Sequence, residues 1–166
     1  MRIGWVLATG LIALAVPFAA QAGNWKVEDG PPLRLALSYG DQGVDYRFAC
    51  AGDHVTIVET GVTQLMDPGT GAKVSDAPGA TMLPGAAVMG LYVDGRKIDL
   101  VPARATANTT KGWNLAIDMP LKDPTLQALR KTKSMSLMTT GWTGMVELGP
   151  DDRKVIGGFL DRCAGR

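Results

Sequence analysis

From residue 33 onward, apolar side chains recur at every second position in a series of short runs. In LRLALSY, Leu33, Leu35, Leu37 and Tyr39 share one face, with Arg34, Ala36 and Ser38 on the other. In VDYRFAC, Val44, Tyr46, Phe48 and Cys50 alternate with Asp45, Arg47 and Ala49. A period of two puts successive side chains on opposite faces of a strand, so both runs predict strands with one buried face. Gly40-Asp41-Gln42-Gly43 between them is turn chemistry, which makes residues 33–50 a hairpin. HVTIVET at 54–60 follows the short break Ala51-Gly52-Asp53 and extends a meander. VMGLYVDGRKIDLV at 88–101 predicts a second hairpin, with Asp94-Gly95 as a type I′ turn. GWNLAIDM at 112–119 places Trp113, Leu115, Ile117 and Met119 on one face of a strand. SMSLMTT at 134–140 and MVEL at 145–148 predict two late strands.

Two segments change period. In DPTLQALRKTK, 123–133, Asp123 suits a helix cap and Pro124 the first helical position. In DDRKVIGGFLDRC, 151–163, Val155, Ile156, Phe159, Leu160 and Cys163 recur at helical spacing, opposite a mostly charged face. Pro150, Asp151 and Asp152 open that helix with negative charge at its positive end. Gly157-Gly158 weakens it, by about 1 kcal/mol per glycine relative to alanine, and would permit close approach to a sheet. The stretch from Asp67 to Gly85 is rich in glycine and proline and predicts a long surface connection. The pattern amounts to about eight strands and two short helices. It defines a mainly β fold, an antiparallel sandwich or partly rolled sheet with the C-terminal helix packed on it.

The amino terminus alters this reading. Arg2 precedes an uncharged run from Ile3 to Ala20, and Ala20-Gln21-Ala22 carries small residues at the positions a signal peptidase reads. That is the layout of a cleaved secretory signal over residues 1–22. The run is short for a membrane span and is interrupted by Gly4, Gly10 and Pro17. Residues 23–166 then form a single exported domain with no membrane span, placed in the periplasm or outside the cell. The chain holds 17 Lys and Arg against 16 Asp and Glu. Arg2 leaves with the signal, so the remaining formal charges cancel. No basic excess or stripe is visible along the sequence, which argues against nucleic acid as a partner. The tight cluster RKTK at 130–133 reads as the solvated end of a helix.

Export explains the two cysteines. An oxidising compartment favours pairing of Cys50 with Cys163. Closing a loop of roughly 110 residues contributes about 4–5 kcal/mol in the chain-entropy picture. Two buried thiols or a bond between chains are the alternatives. Cys50 falls on the core side of its strand and Cys163 on the apolar face of the last helix, which favours the intramolecular bridge.

Catalytic chemistry is sparse. His54 is the only histidine. Asp53 precedes it, but neighbours in a strand point apart, and no nucleophile elbow accompanies them. His54 reads as a surface residue, which makes a hydrolase the least favoured function. One histidine does not build a zinc site, and Asp41, Asp45 and Asp53 are too scattered for a calcium loop. Methionine is plentiful, and thioethers suit Cu(I). However, Met89, Met119 and either Met135 or Met138 fall on apolar strand positions, where methionine fills gaps. GTGAK at 69–73 lacks the full phosphate-loop spacing. Asn108-Thr109-Thr110 matches a glycosylation acceptor too short to be informative. No cofactor or metal is expected. The best candidate for recognition is the predicted loop TTGWTG at 139–144, where Thr140, Trp142 and Thr143 would offer a ring and hydroxyls to a partner. The alternative is that Trp142 folds back over the edge of the core.

An export signal, Trp25 soon after it, and a strand ending Phe48-Ala49-Cys50 resemble small envelope proteins of Gram-negative bacteria. The strand SMSLMTTGW and a terminal helix ending FLDRC add to the likeness. Together they resemble the invasion-associated locus B family of exported β-rich proteins. The resemblance implies a non-enzymatic envelope protein linked to host contact or stress. The expected function is therefore an exported protein-binding or accessory module whose partner is an envelope or extracellular protein. A periplasmic carrier of a small ligand or metal is the alternative.

Overall fold

A computed structural model describes residues 24–38, 45–77, 80–82, 85–94, 96, 98–110 and 112–165. The leader at 1–22, the turn at 40–43, and Tyr39, Val44 and Gly95 lie outside the described residues. Among those described there are ten strands and two helices. They are β1 (Asn24–Glu28), β2 (Arg34–Ser38), β3 (Asp45–Ala51), β4 (His54–Val62), β5 (Val88–Val93), β6 (Val101–Pro102), β7 (Arg104–Ala107), β8 (Trp113–Pro120), α1 (Pro124–Ala128), β9 (Ser134–Thr139), β10 (Trp142–Glu147) and α2 (Pro150–Cys163). A six-stranded antiparallel sheet has the order β1-β2-β3-β4-β8-β7, and a four-stranded one the order β10-β9-β5-β6. The mainly β sandwich with a closing C-terminal helix follows directly.

The large sheet obeys the alternation read from the sequence. Leu35 pairs with Phe48 and Leu37 with Tyr46, then Phe48 with Ile57, then Ile57 with Ile117. These side chains are almost fully buried, along with Val55, Leu115 and Trp113. β1 extends the sheet, pairing Trp25 with Leu37; NWKVE alternates like its neighbours but is only five residues long. Trp25 packs against Phe48 with ring centroids 5.8 Å apart. One short run of chain passes directly from the small sheet to the large one. Val101 and Pro102 pair with β5 in the small sheet, and Arg104–Ala107 pairs with β8 in the large one. Between them the Ala103 N–H donates to the Ala87 carbonyl at 2.9 Å. The sandwich is thereby partly rolled along this side.

The second hairpin is only partly as expected. The Arg96 N–H does reach back to the Val93 carbonyl at 3.1 Å. The chain after it, however, does not pair along β5. Only Val88 and Met89 meet β6, whereas Met89 to Val93 all pair with β9. The cause is a latch and a close approach. The Asp94 carboxylate accepts from the N–H groups of Lys133 and Ser134 at 2.9 and 3.2 Å, which binds the end of β5 to the start of β9. Residues 98–100 instead cross over Gly90, where an added Cβ would lie 2.6 Å from the Asp99 carbonyl oxygen.

Both helices start as expected. The Asp123 carboxylate accepts from the N–H groups of Thr125 and Leu126, the usual cap geometry. Asp152 accepts from the Gly149 N–H at 2.7 Å at the head of α2. α1 ends at Ala128, short of the expected 133, and Arg130 is not the solvated helix end that RKTK suggested. Its guanidinium donates to the Gly157 carbonyl at 3.0 Å, to Asp161 at 2.9 Å and to the Gln127 side chain at 3.0 Å. The second glycine of the pair faces open space, so Gly157-Gly158 provides no approach to a sheet; Gly157 faces Arg130 instead. Ile156, Phe159 and Leu160 are buried, and α2 lies against β1 and β2. Its last residue, Cys163, is bonded to Cys50 on β3 with Cα atoms 5.6 Å apart. The intramolecular bridge is thus the alternative that the fold adopts.

The connection at 67–85 is better anchored than its composition suggested. Asp67 accepts from the Thr70 N–H and hydroxyl and from the Gly69 N–H, which lowers its pKa. Met66 pairs with Lys73, Leu65 is fully buried, and the Trp113 indole N–H donates to the Ser75 carbonyl at 2.8 Å.

Candidate binding surface

The late part of the chain folds more tightly than TTGWTG suggested. Thr139 pairs with Trp142, so Thr140 and Gly141 form a two-residue turn and β10 begins at Trp142. Gly141 has φ +93°, and an added Cβ would sit 2.5 Å from the Met66 side chain. Thr140 serves this packing. Its carbonyl accepts from the Met66 N–H at 2.7 Å, and its hydroxyl donates to the Met66 carbonyl. Of the three residues expected to present a surface, Thr140 is half-buried and tied to the neighbouring loop. Thr143 is exposed on β10. The backbone of Trp142 opens the same strand; its ring lies outside the described residues.

Among the described residues, β10 is the outer strand of the small sheet and pairs on one side only. The Leu148 N–H donates to the Lys133 carbonyl at 2.8 Å, one position beyond the Glu147–Ser134 pair. Hydrogen-bonded pairs alternate in an antiparallel ladder. Residues 144, 146 and 148 therefore bond toward β9, while Thr143, Met145 and Glu147 direct their N–H and C=O groups to the open edge. The side chains divide in the same way. Val146 and Leu148 are buried, and Thr143, Met145 and Glu147 stand in solvent. Met145 is 65% exposed, the most exposed of the large apolar residues described.

An open groove of about 620 Å³ runs beside this edge, lined by Met145, Glu147, Leu148, Lys133, Asp94 and Arg153, among others. Its walls are fixed. Hydrogen bonds from the Ser134 hydroxyl and the Lys133 N–H hold Asp94 as a carboxylate, with its pKa lowered to about 2. Arg153 donates to the Leu148 carbonyl at 2.7 Å. From the other sheet, the Tyr46 hydroxyl donates to the Gly144 carbonyl at 3.2 Å and braces β10 from behind. Beside Met145 on the same face of the sheet, Ser136 is fully buried and its hydroxyl has no hydrogen-bond partner among the described residues. Met145 and Glu147 were not singled out as site residues in the sequence. The available signal was Met145 itself, an apolar residue on the polar parity of WTGMVEL.

A second cavity, about 260 Å³, lies between β5, β8 and the head of α1, lined by Leu91, Ile117, Met119, Asp99, Asp118 and Asp123. Asp123 is committed to capping α1. Asp118 is held by Arg104 and by the Thr56 hydroxyl, which lower its pKa to about 2. His54 and Asp53 are in contact, Nδ1 to Oδ1 at 2.5 Å. The expectation that they point apart is corrected, because Asp53 lies in the β3–β4 turn and not in the strand. The pair is solvent-facing, with the Asp53 side chain 89% exposed. Met89 and Met135 are fully buried gap-fillers. Among the described residues, no group of three or more His, Cys, Asp or Glu could hold a metal ion. No helix among them is long and apolar enough to cross a membrane.

No protein-family model, curated protein or solved structure matches this chain. What the fold and surface define is a class: a disulfide-closed β sandwich with a groove beside the edge strand β10.

Proposed function

We propose that the chain is an exported, non-enzymatic envelope protein that binds a protein partner through the open edge of β10. The observation that carries this reading is Met145, 65% exposed on a strand whose outward N–H and C=O groups face no neighbouring strand among the described residues. Natural sheets usually blunt such edges with charge, proline or cover. Here Glu147 is the only charge on a six-residue edge. An extended partner segment would add a strand, bury Met145 and use the groove for a side chain. The Cys50–Cys163 bond supports an oxidising compartment, as do the leader-like amino terminus and the resemblance to the invasion-associated locus B proteins. The carrier alternative has less support, since the groove of about 620 Å³ is open to solvent and the second cavity, about 260 Å³, is below the usual range for a small-molecule site.

The test is site-specific photocrosslinking in the intact envelope from position 143. One protein adduct is expected. Adding Met145→Pro, which removes an outward N–H without touching the ladder to β9, should abolish it while thermal melting stays unchanged. No adduct, or an adduct indifferent to Met145→Pro, would refute edge binding.

A further inference from the structure

Along β10 the outward-facing positions fit a second copy of the same strand. Thr143, Met145 and Glu147 turn their N–H and C=O groups away from β9, whereas Gly144 and Val146 bond toward it. When two copies of β10 lie antiparallel about a two-fold axis at Met145, every outward residue meets an outward residue. Met145 meets Met145, and Thr143 meets Glu147 at both ends. An opposed pair of this kind exchanges both of its N–H···O=C bonds, so the three pairs form six. No other register does as well. A slip of one residue opposes groups already bonded to β9. A slip of two carries one residue of each copy past the end of the strand, against Gly141 in the turn or against Gly149, whose N–H is held by Asp152. A slip of four toward α2 sets Glu147 against Glu147.

The side chains agree with the two-fold register. Opposed residues share a face of the sheet, so two Met145 side chains, each 65% exposed in the single chain, cover one another. Glu147 lies across from the exposed Thr143 hydroxyl, and the two Glu147 positions stand about 14 Å apart along the strands. The exposed Lys133 lies beyond Glu147 at the same end, so no like charges face each other across the seam. The whole chain holds 17 Lys and Arg against 16 Asp and Glu, and two copies approach without net repulsion. The bond from the Tyr46 hydroxyl to the Gly144 carbonyl holds the middle of the strand in place before it pairs.

We propose that the chain forms a two-fold dimer in which β10 pairs with β10, joining two four-stranded sheets into one continuous sheet; this rests on the β10 edge being a binding surface and names its occupant. Each copy thereby covers the edge that would otherwise template aggregation of the other. A short ladder and two methionines make a small interface beside those of permanent complexes, so the dimer is reversible.

The experiment is sedimentation velocity on the exported chain from about 5 µM to about 500 µM. A monomer–dimer equilibrium is expected. Met145→Lys sets two ammonium groups against each other on the axis and should weaken the dimer about tenfold, as should Met145→Glu with two carboxylates. Mixed in equal amounts, these two variants should pair again, as position 145 facing itself requires. Should either variant melt early, Thr143→Glu, which opposes Glu147 at both ends, replaces it and should weaken the dimer in the same direction. A chain monomeric throughout the range would overturn the proposal. A dimer that survives the charged variants would do the same, as would a mixture that pairs no better than either variant alone. The two proposals fail separately. If photocrosslinking from position 143 captures a different protein while the purified chain stays monomeric, edge binding stands and self-pairing falls. An adduct of twice the chain's mass that disappears with Met145→Lys supports both. A dimer in solution with no adduct from position 143 would place the contact elsewhere and overturn both.

Discussion

In the large sheet, β1, β2 and β3 each pair with the next strand in sequence and only β4 reaches a distant one, β8, whereas the small sheet depends on β5 finding β9 across β6, β7, β8 and α1. Sequential pairing closes short loops at low entropic cost. The β5–β9 pairing closes a long one, and several specific contacts in and around the small sheet support it. Asp94 latches β5 to the start of β9, Gly90 admits the crossing chain, and Thr140 ties the β9–β10 turn to Met66. Meanwhile α2 and the disulfide both reinforce the large sheet. The comparison teaches that the sheet carrying the β10 edge relies on its own pairing and a few named contacts, without the helix and disulfide that reinforce the large sheet. Binding surfaces are commonly drawn from such regions.

The largest expected effects test the reinforcement of the large sheet. Phe159→Ala removes a fully buried ring from α2 and should cost about 3–5 kcal/mol in urea unfolding. Replacing Cys50 and Cys163 together by serine should cost about 2–5 kcal/mol. If amide exchange then rises first in β9 and β10, with β2 and β3 still protected, the bond does not hold the large sheet as argued. Gly90→Val is aimed at the small sheet alone. Its Cβ would meet backbone at 2.6 Å, so a loss of about 1–3 kcal/mol is expected. Exchange should quicken in β5 and β9 while β2 to β4 stay slow; equal acceleration in both sheets would erase the distinction between them. Asp123→Ala removes the cap of α1 and should cost about 1 kcal/mol, read as a small shift in the urea midpoint.

The smallest effect is a pH dependence. Asp94 and Asp118 each have their pKa lowered to about 2 in the folded chain, against an unfolded value of roughly 3.9. A depressed carboxylate stabilises the folded state above the unfolded value, and that contribution is lost as pH falls through the folded one. Stability should therefore decline between about pH 4 and pH 2, modestly, since both groups are solvent-facing and screened. Asp94→Asn should flatten the part of this slope seen by exchange at the start of β9. An unchanged slope there would show that the latch does not depend on charge.

Period-two patterning identified β2, β3, β4, β8 and β9, because each has one buried face and a regular alternation of apolar residues. Helical spacing and the Asp123 and Pro150 signals located both helix starts, and export chemistry paired the cysteines. β1, β6 and β7 were not read, since runs of two to five residues contain too few alternations to stand out. Trp142 and Thr143 were assigned to a loop because glycine on both sides resembles turn composition, while the actual turn needs only Thr140 and Gly141. The Asp94-Gly95 signal marked a real reversal but not its partner. Local sequence encodes a turn's φ and ψ, whereas the strand that follows pairs wherever burial and hydrogen bonding are best satisfied.

The residues themselves determined which side chains face the core, where the helices begin and which cysteines can meet, since all three follow from local periodicity and compartment. Tertiary structure alone decided that β5 lies beside β9 and that β10 is the outer strand of the small sheet among the described residues. Those facts depend on register between strands distant in sequence, and register is set by the packing of the whole core.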